Sequence, residues 1–208
     1  MMTATRAEEK QDTNFSLERL ERLLKTGTKV EWRHDVDFDP DAALQMAHLE
    51  HKHGVQSTYY VMCQSESYNA LAPNVMQTFK TIIGYGHQLG IHVDLRLGRS
   101  AKVQSSVMRK ACERDARIFR AAGYEMTRRV SFHAPPLDVL WRDVRGFEHA
   151  LGPQWEGRYV ADSRGVFRQS PEDALKRGGA VTLNLHPEWW FWPLSVAEYS
   201  RKIEAEKP

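Results

Sequence analysis

The residues of this chain best suited to chemistry lie in short polar runs, each at the end of an apolar stretch. The first run is Arg33-His34-Asp35-Val36-Asp37. Asp35 and Asp37 are two residues apart, so on an extended backbone they face the same side. Two carboxylates so placed can divide labour. One can bind a divalent cation while the other takes a proton from water, because the cation acidifies bound water and favours the ionised carboxylates. Asp39, directly before Pro40, has the signature of a helix N-cap followed by a first-turn proline.

The second run is Gly86-His87-Gln88-Leu89-Gly90-Ile91-His92-Val93-Asp94. His87 and His92 are an odd number of residues apart, so a regular strand puts them on opposite faces and one ion does not take both. His92, beyond the apolar residues and near Asp94, is the better ligand, since imidazole suits zinc and several other transition metals. His87 reads as a structural hydrogen-bonding residue, and Asp94 is a further candidate ligand. The third and fourth runs are Ser131-Phe132-His133-Ala134-Pro135-Pro136 and Leu183-Asn184-Leu185-His186-Pro187-Glu188-Trp189-Trp190. His133 and His186 can each serve as ligand, acid or positioning group. The tract Trp189, Trp190, Phe191 and Trp192 offers either a stacking platform for a sugar or ordinary core packing.

Positioning such runs requires alternating strands and helices. Residues 16–25 place Leu17, Leu20, Leu23 and Leu24 at helical spacing, with Ser16 as N-cap and Gly27 as the stop. A strand is expected over 29–33, a helix from Pro40 to about His53 and a strand over 55–62. A helix opened by Pro73 should end near Gly84, before a strand over 88–93. A long helix is expected over 100–122 and a strand over 129–132. Residues 137–157 read as irregular, followed by strands over 158–161 and 180–185 and a last helix opened by a capping box of Ser195 and Glu198. Each polar run then falls at the C-terminal end of a strand, the edge where β/α folds assemble sites from separate loops. The fold class expected is α/β, a single parallel-stranded β/α barrel, distorted or incomplete, over residues 1–208 with its core at about 28–192.

A chain of 208 residues is enough for one domain with a full core. Its 29 basic and 27 acidic residues leave a formal charge of +2, with no electrostatic footprint for nucleic acid. No apolar run is long enough to span a membrane, so no stable membrane insertion is expected. The polar first twelve residues are unlike a signal peptide, and the reading is a soluble, cytoplasmic protein. Cys63 and Cys112 lack any metal-ligand spacing and read as buried thiols.

Taken in order, these runs resemble the polysaccharide deacetylases, carbohydrate esterase family 4, whose NodB-homology domain is about as long as this chain. The similarity covers residues 29–190. The family ends its first strand with two aspartates, and Asp35 and Asp37 resemble the spaced form of that pair, also seen in deformylases of lipid-linked aminoarabinose. Residues 55–61, with Ser57-Thr58-Tyr59-Tyr60, are similar to the second strand. Gly86-His87-Gln88-Leu89-Gly90-Ile91-His92 resembles the family's Gly-His-Glu-Ile-Gly-x-His segment, and His133-Ala134-Pro135-Pro136 its Arg-Pro-Pro-Tyr motif. Asp162 falls where the fourth motif lies, and Leu183-x-Leu185-His186 resembles the last.

The resemblance implies that Asp35 is the catalytic base, His186 the catalytic acid, and Asp37 and His92 ligands of a divalent metal, zinc foremost. Asp162, Leu183, Leu185, Trp189 and Trp190 would contact substrate, with Leu183 or Leu185 walling an acyl-methyl pocket. The expected reaction is hydrolysis of an N-acyl group, N-acetyl foremost, on a sugar or glycan intermediate, a cytoplasmic precursor rather than mature wall polymer. The metal would polarise the amide carbonyl and bind water, Asp35 would take the water proton, and protonated His186 would protonate the departing amine. The sequence departs from the family at two places. Arg96 stands where a second metal histidine is usual, and a permanent cation cannot replace it. His133 stands where the family has the arginine that orients the base, so it either completes the metal site or bonds to Asp35. The competing readings are a non-catalytic sugar-binding relative with a degenerate metal site, and a deformylase or other carbon–nitrogen hydrolase on a non-sugar substrate.

Overall fold

The computed structural model describes residues 12–26, 29–98, 100–151 and 158–192. Gly27 and the capping box of Ser195 and Glu198 lie outside the described residues. Among the described residues, seven strands form one sheet in the order β5-β4-β3-β2-β1-β7-β6, with every neighbouring pair parallel. They are β1 (Val30–Val36), β2 (Ser57–Met62), β3 (Gln88–Asp94), β4 (Arg129–His133), β5 (Glu148–His149), β6 (Arg158–Ala161) and β7 (Val181–Leu185). The helices are α1 (Leu17–Leu24), α2 (Pro40–Lys52), α3 (Pro73–Gly84), α4 (Ser105–Ala121), α5 (Pro171–Lys176) and α6 (Pro187–Phe191).

The sheet curls into an open, distorted barrel. Arg33 on β1 donates to Ser131 Oγ on β4 at 2.6 Å. β1 and β4 are separated by two intervening strands, about 14 Å apart in a flat sheet at ~4.8 Å per strand. Only curvature lets these side chains meet. Among the described residues the barrel is open between β5 and β6, the two ends of the strand order.

Strand alternation sorts the residues into two layers. On β1, Trp32, His34 and Val36 face the helices while Arg33 and Asp35 face the interior, following the two-residue period of an extended chain. The helix-side layer joins Tyr59, Val61, Leu89, Ile91, Leu183 and Leu185 to Met46, Phe79 and Phe119 in one apolar core. Gly90 shows how closely the interior is packed. A Cβ built there would stand 2.7 Å from the ring of Tyr60, so the backbone of β3 can lie against that ring only without a side chain.

The helix boundaries follow local chemistry. Asp39 caps α2 by accepting from the N–H groups of Asp41 at 2.8 Å and Ala42 at 3.1 Å, with Pro40 behind it. The expected helix over 100–122 begins at Ser105, because residues 101–104 form the loop entering it, and Val103 N–H is instead given to Asp138 Oδ2 at 2.8 Å. The stretch read as irregular contains a one-turn 3-10 helix, Leu137–Val139, and the two-residue edge strand β5, both too short to carry periodicity. Helix α5, capped by Ser170 on Asp173 N–H at 3.2 Å, is absent from the sequence reading for the same reason. No described helix is long and apolar enough to cross a membrane. Cys63 is half-buried, Cys112 is buried and neither is paired.

Candidate functional site

The C-terminal ends of β1, β3, β4 and β7 deliver Asp35 and Asp37, His92, His133 and His186 to one place. Asp37 Oδ1 lies 3.0 Å from His92 Nε2 and 3.1 Å from His133 Nδ1. One donor atom from each of Asp37, His92 and His133 falls within 4.8 Å of the other two. The set is a carboxylate and two imidazoles, the N,N,O chemistry that divalent transition metals take, and it is nearly closed to water on two of its three members. The residues present therefore fit a metal ion. Burial alone pushes the Asp37 carboxyl up, but hydrogen bonding from His133 and His92 and the charge of His186 outweigh it and hold the group well below the usual carboxylate range.

Asp35 sits two residues earlier, on β1 itself. Arg33 Nη2 contacts both of its oxygens at 3.1 Å, and Asn184 Nδ2 donates to Oδ2 at 2.9 Å. His92 Nδ1 is 3.9 Å from Oδ1. Burial opposes ionisation, yet Arg33 with His92 and His186 keeps Asp35 ionised far below the usual carboxylate range. Arg33 is itself buried, its guanidinium carbon 5.0 Å from the ring centroid of Tyr60 and 5.7 Å from that of Tyr159.

His186 follows β7 and faces Asp37 Oδ2 with Nε2 at 3.7 Å. Its Nδ1 lies 2.6 Å from Asp162 Oδ1, and its backbone N–H is shared between the two Asp162 oxygens at 3.0 and 3.1 Å. A carboxylate on Nδ1 fixes that nitrogen as the donor and leaves Nε2 turned toward the other residues. Burial pushes His186 down, but the Asp162 and Asp37 carboxylates outweigh it and lift the imidazole to about 10.

The remaining sequence expectations sort differently. Asp162, expected to touch substrate, has no solvent exposure, and its oxygens accept from His186 and from Trp190 Nε1 at 2.9 Å. Leu183 and Leu185, expected to wall an acyl pocket, are fully buried and in register with Trp32 and His34, on the helix side of the sheet. Asn184 between them is the residue of β7 that faces the interior. Of the aromatic tract read as a platform or as core, Trp190 is 4% exposed and packs edge-on against Phe15 and Phe167, while Trp189 is half-buried against the core. His133 bonds to Asp37 rather than to Asp35. Asp94 accepts from Arg96 N–H at 2.7 Å, closing a turn outside the three-residue cluster, and Arg96 takes a left-handed backbone at φ 52°.

His87 lies on the other side of the sheet, accepting from Ser57 N–H at 3.2 Å and facing the Ala47 carbonyl at 2.9 Å. The sequence reading did not single out Arg33 and Asn184. Their signal was present in the alternation: each occupies the interior-facing position of a strand that ends in a candidate site residue. A cavity of about 410 Å³, lined by Glu31, Arg129, Glu148 and Thr182 among others, opens at the starts of the strands, away from these residues.

No protein-family model matches the chain, and no curated protein matches it. Its likeness is to solved structures. A CE4 family pseudoenzyme from Bacillus anthracis superposes with a TM-score of 0.52 at 15% identity, over 86% of this chain and 62% of that one. The chain has the same fold. That fold is the distorted NodB-like β/α barrel, and the chain spans less than two thirds of that relative's length. A mutant form of a peptidoglycan deacetylase from Bacillus subtilis has a TM-score of 0.49 at 12% identity, over 87% of this chain and 84% of that one. The chitin deacetylase of Colletotrichum lindemuthianum, a fungal pathogen, has a TM-score of 0.44 at 11% identity, over 85% and 81%.

Proposed function

We propose that the protein is a metal-dependent amide hydrolase that removes an N-acyl group, N-acetyl foremost, from a sugar or glycan intermediate. The observation that supports this reading is the meeting of a carboxylate–imidazole–imidazole cluster with a separate ionised carboxylate and a carboxylate-backed imidazole at one barrel mouth. Asp37, His92 and His133 would hold a divalent cation, zinc foremost, which when bound supplies the Lewis acidity that polarises an amide carbonyl and acidifies water.

The protein's own residues do the rest. Asp35, kept ionised by Arg33, accepts the proton of the attacking water. His186, protonated and turned by Asp162 so that Nε2 faces the site, gives a proton to the departing amine. Two titratable groups pushed in opposite directions by their surroundings supply the base and the acid of one reaction.

A second reading, a non-catalytic glycan-binding relative, is favoured by Arg96, which occupies the position where the family's other metal histidine is usual. Metal content separates the two. Elemental mass spectrometry on protein purified without a metal-binding tag should find near-stoichiometric divalent metal, and turnover of N-acetylated amino sugars should vanish in Asp35→Asn with metal retained. Protein that neither contains nor takes up metal selects the binding reading. A panel of N-formyl, N-acetyl and non-sugar amides assigns the acyl group and tests the deformylase alternative.

A further inference from the structure

The two carboxylate oxygens of Asp35 have different surroundings. Arg33 Nη2 lies 3.1 Å from each of them, so this contact supplies charge without distinguishing one oxygen from the other. The second Nη2 hydrogen goes to Ser131 Oγ at 2.6 Å, which anchors the guanidinium on β4. Asn184 breaks the symmetry. Its Nδ2 donates to Oδ2 alone at 2.9 Å, and the other hydrogen of the same amide goes to the Tyr159 hydroxyl at 3.0 Å. Both amide hydrogens are used, so the side-chain plane is held at two points. The assignment of nitrogen to that position follows from chemistry, since an amide oxygen 2.9 Å from an ionised carboxylate would be repelled. Asp35 Oδ1 has no such clamp, and of the two oxygens it is the one 3.9 Å from Nδ1 of His92, the histidine whose other ring nitrogen, Nε2, faces Asp37 in the metal cluster.

We infer that Asn184 is a positioning residue for the reaction proposed above: it ties down Oδ2 of Asp35 and so presents Oδ1 to the attacking water. This inference rests on the reading of Asp35 as the base. A carboxylate free to rotate would spend part of its time with neither oxygen aimed at the metal cluster, and misplacement of a reacting group by about 1 Å can cost about a hundredfold in rate. Asn184 suits the task because it is buried, stands in register opposite Arg33 on the neighbouring strand, and adds no charge beside Asp35.

The test pairs kinetics with a crystal structure of the metal-loaded protein. Asn184→Leu keeps the size and loses the amide, while Asn184→Gln keeps a donor. Asn184→Leu should lower kcat by about 10- to 100-fold with KM and metal content unchanged, the pattern of an interaction made in the transition state. Asn184→Gln should recover part of that loss. In crystals of Asn184→Leu the Asp35 carboxylate should rotate away from its wild-type plane. A carboxylate that keeps its plane in Asn184→Leu overturns the inference, and so does an unchanged kcat in a protein that Asp35→Asn inactivates. If Asp35→Asn is itself as active as wild type, the reading of the base fails instead, and the crystal structure alone decides whether Asn184 fixes the carboxylate.

Discussion

The Nδ1 nitrogen of His186 lies 2.6 Å from Oδ1 of Asp162, and the same carboxylate also receives the backbone N–H of His186 and the indole N–H of Trp190. Asp162 thereby fixes both where His186 stands and which of its nitrogens faces Asp37. Replacing the carboxylate by an amide removes the charge that favours imidazolium and puts an N–H donor within reach of Nδ1. Asp162→Asn should therefore lower kcat by about 10²- to 10⁴-fold, the range for loss of a general acid. The metal content should be unchanged. Steady-state kinetics together with elemental analysis read both, and an unaltered kcat would refute the role.

The candidate metal cluster predicts which substitutions weaken metal binding and which do not. Asp37→Ala, His92→Ala and His133→Ala each remove one donor of three, so each should weaken zinc binding by more than the ~10- to 100-fold typical of removing an outer partner of a ligand. His87→Ala should leave zinc affinity unchanged, because His87 bonds to Ser57 and Ala47 on the opposite face of the sheet. Competition titration with a chromophoric chelator measures all four. Equal affinities for wild type and His133→Ala would remove that histidine from the set.

Behind the site, Glu50 is fully buried on α2 and bonds His34 Nε2 at 2.7 Å and the Tyr59 hydroxyl at 2.6 Å. Burial pushes this carboxyl up, yet the neighbouring His34 and Tyr59 bring it below its ordinary value. Glu50→Ala strands both partners in the core. Breaking a buried pair in this way costs about 3–5 kcal/mol, which for a domain of this size lowers Tm by about 6–20 °C. Thermal unfolding followed by circular dichroism checks it, and a shift under a few degrees would mean that water enters to replace the carboxylate.

At the N-terminal side, Arg19 is buried and joins Glu172 at 2.7 Å and Asp12 at 2.6 Å, tying α1 to α5. The hydrogen bond from Arg19, against a smaller effect of burial, lowers Glu172 to about 2 from an ordinary 4.5. The folded value lies below the unfolded one, so the stabilisation is complete above about pH 4.5 and is lost as pH falls through about 2. Denaturant titrations at successive pH values should show stability declining across that window in wild type and a shallower decline in Glu172→Gln. Identical slopes would show that the ion pair is matched in the unfolded chain.

Much of the site was legible in the sequence because its residues sit at fixed offsets from strands. The spacing of Asp35 and Asp37 places both on one side of an extended chain, and the odd spacing of His87 and His92 separates them, whatever the rest of the molecule does. The interior placement of Asn184 follows from the same alternation, but recognising it required knowing which face of β7 turns inward. The placement of Leu183 and Leu185 on the helix side of β7 was not legible for the same reason, since a sequence gives the period of a strand and not the side that curls around a centre.

By itself, then, the sequence determined the order of β1 to β4, β6 and β7 and of helices α1 to α4, the polar runs at strand ends and the caps that start α1 and α2, because these depend on contacts within a few residues. Only the tertiary structure decided that Arg33 reaches Ser131 across the barrel, that His133 meets Asp37 and not Asp35, that Asp162 serves His186, and that Trp190 is core. Those outcomes depend on sheet curvature and on which side chains fill the space it encloses, quantities set by packing among segments far apart in the chain.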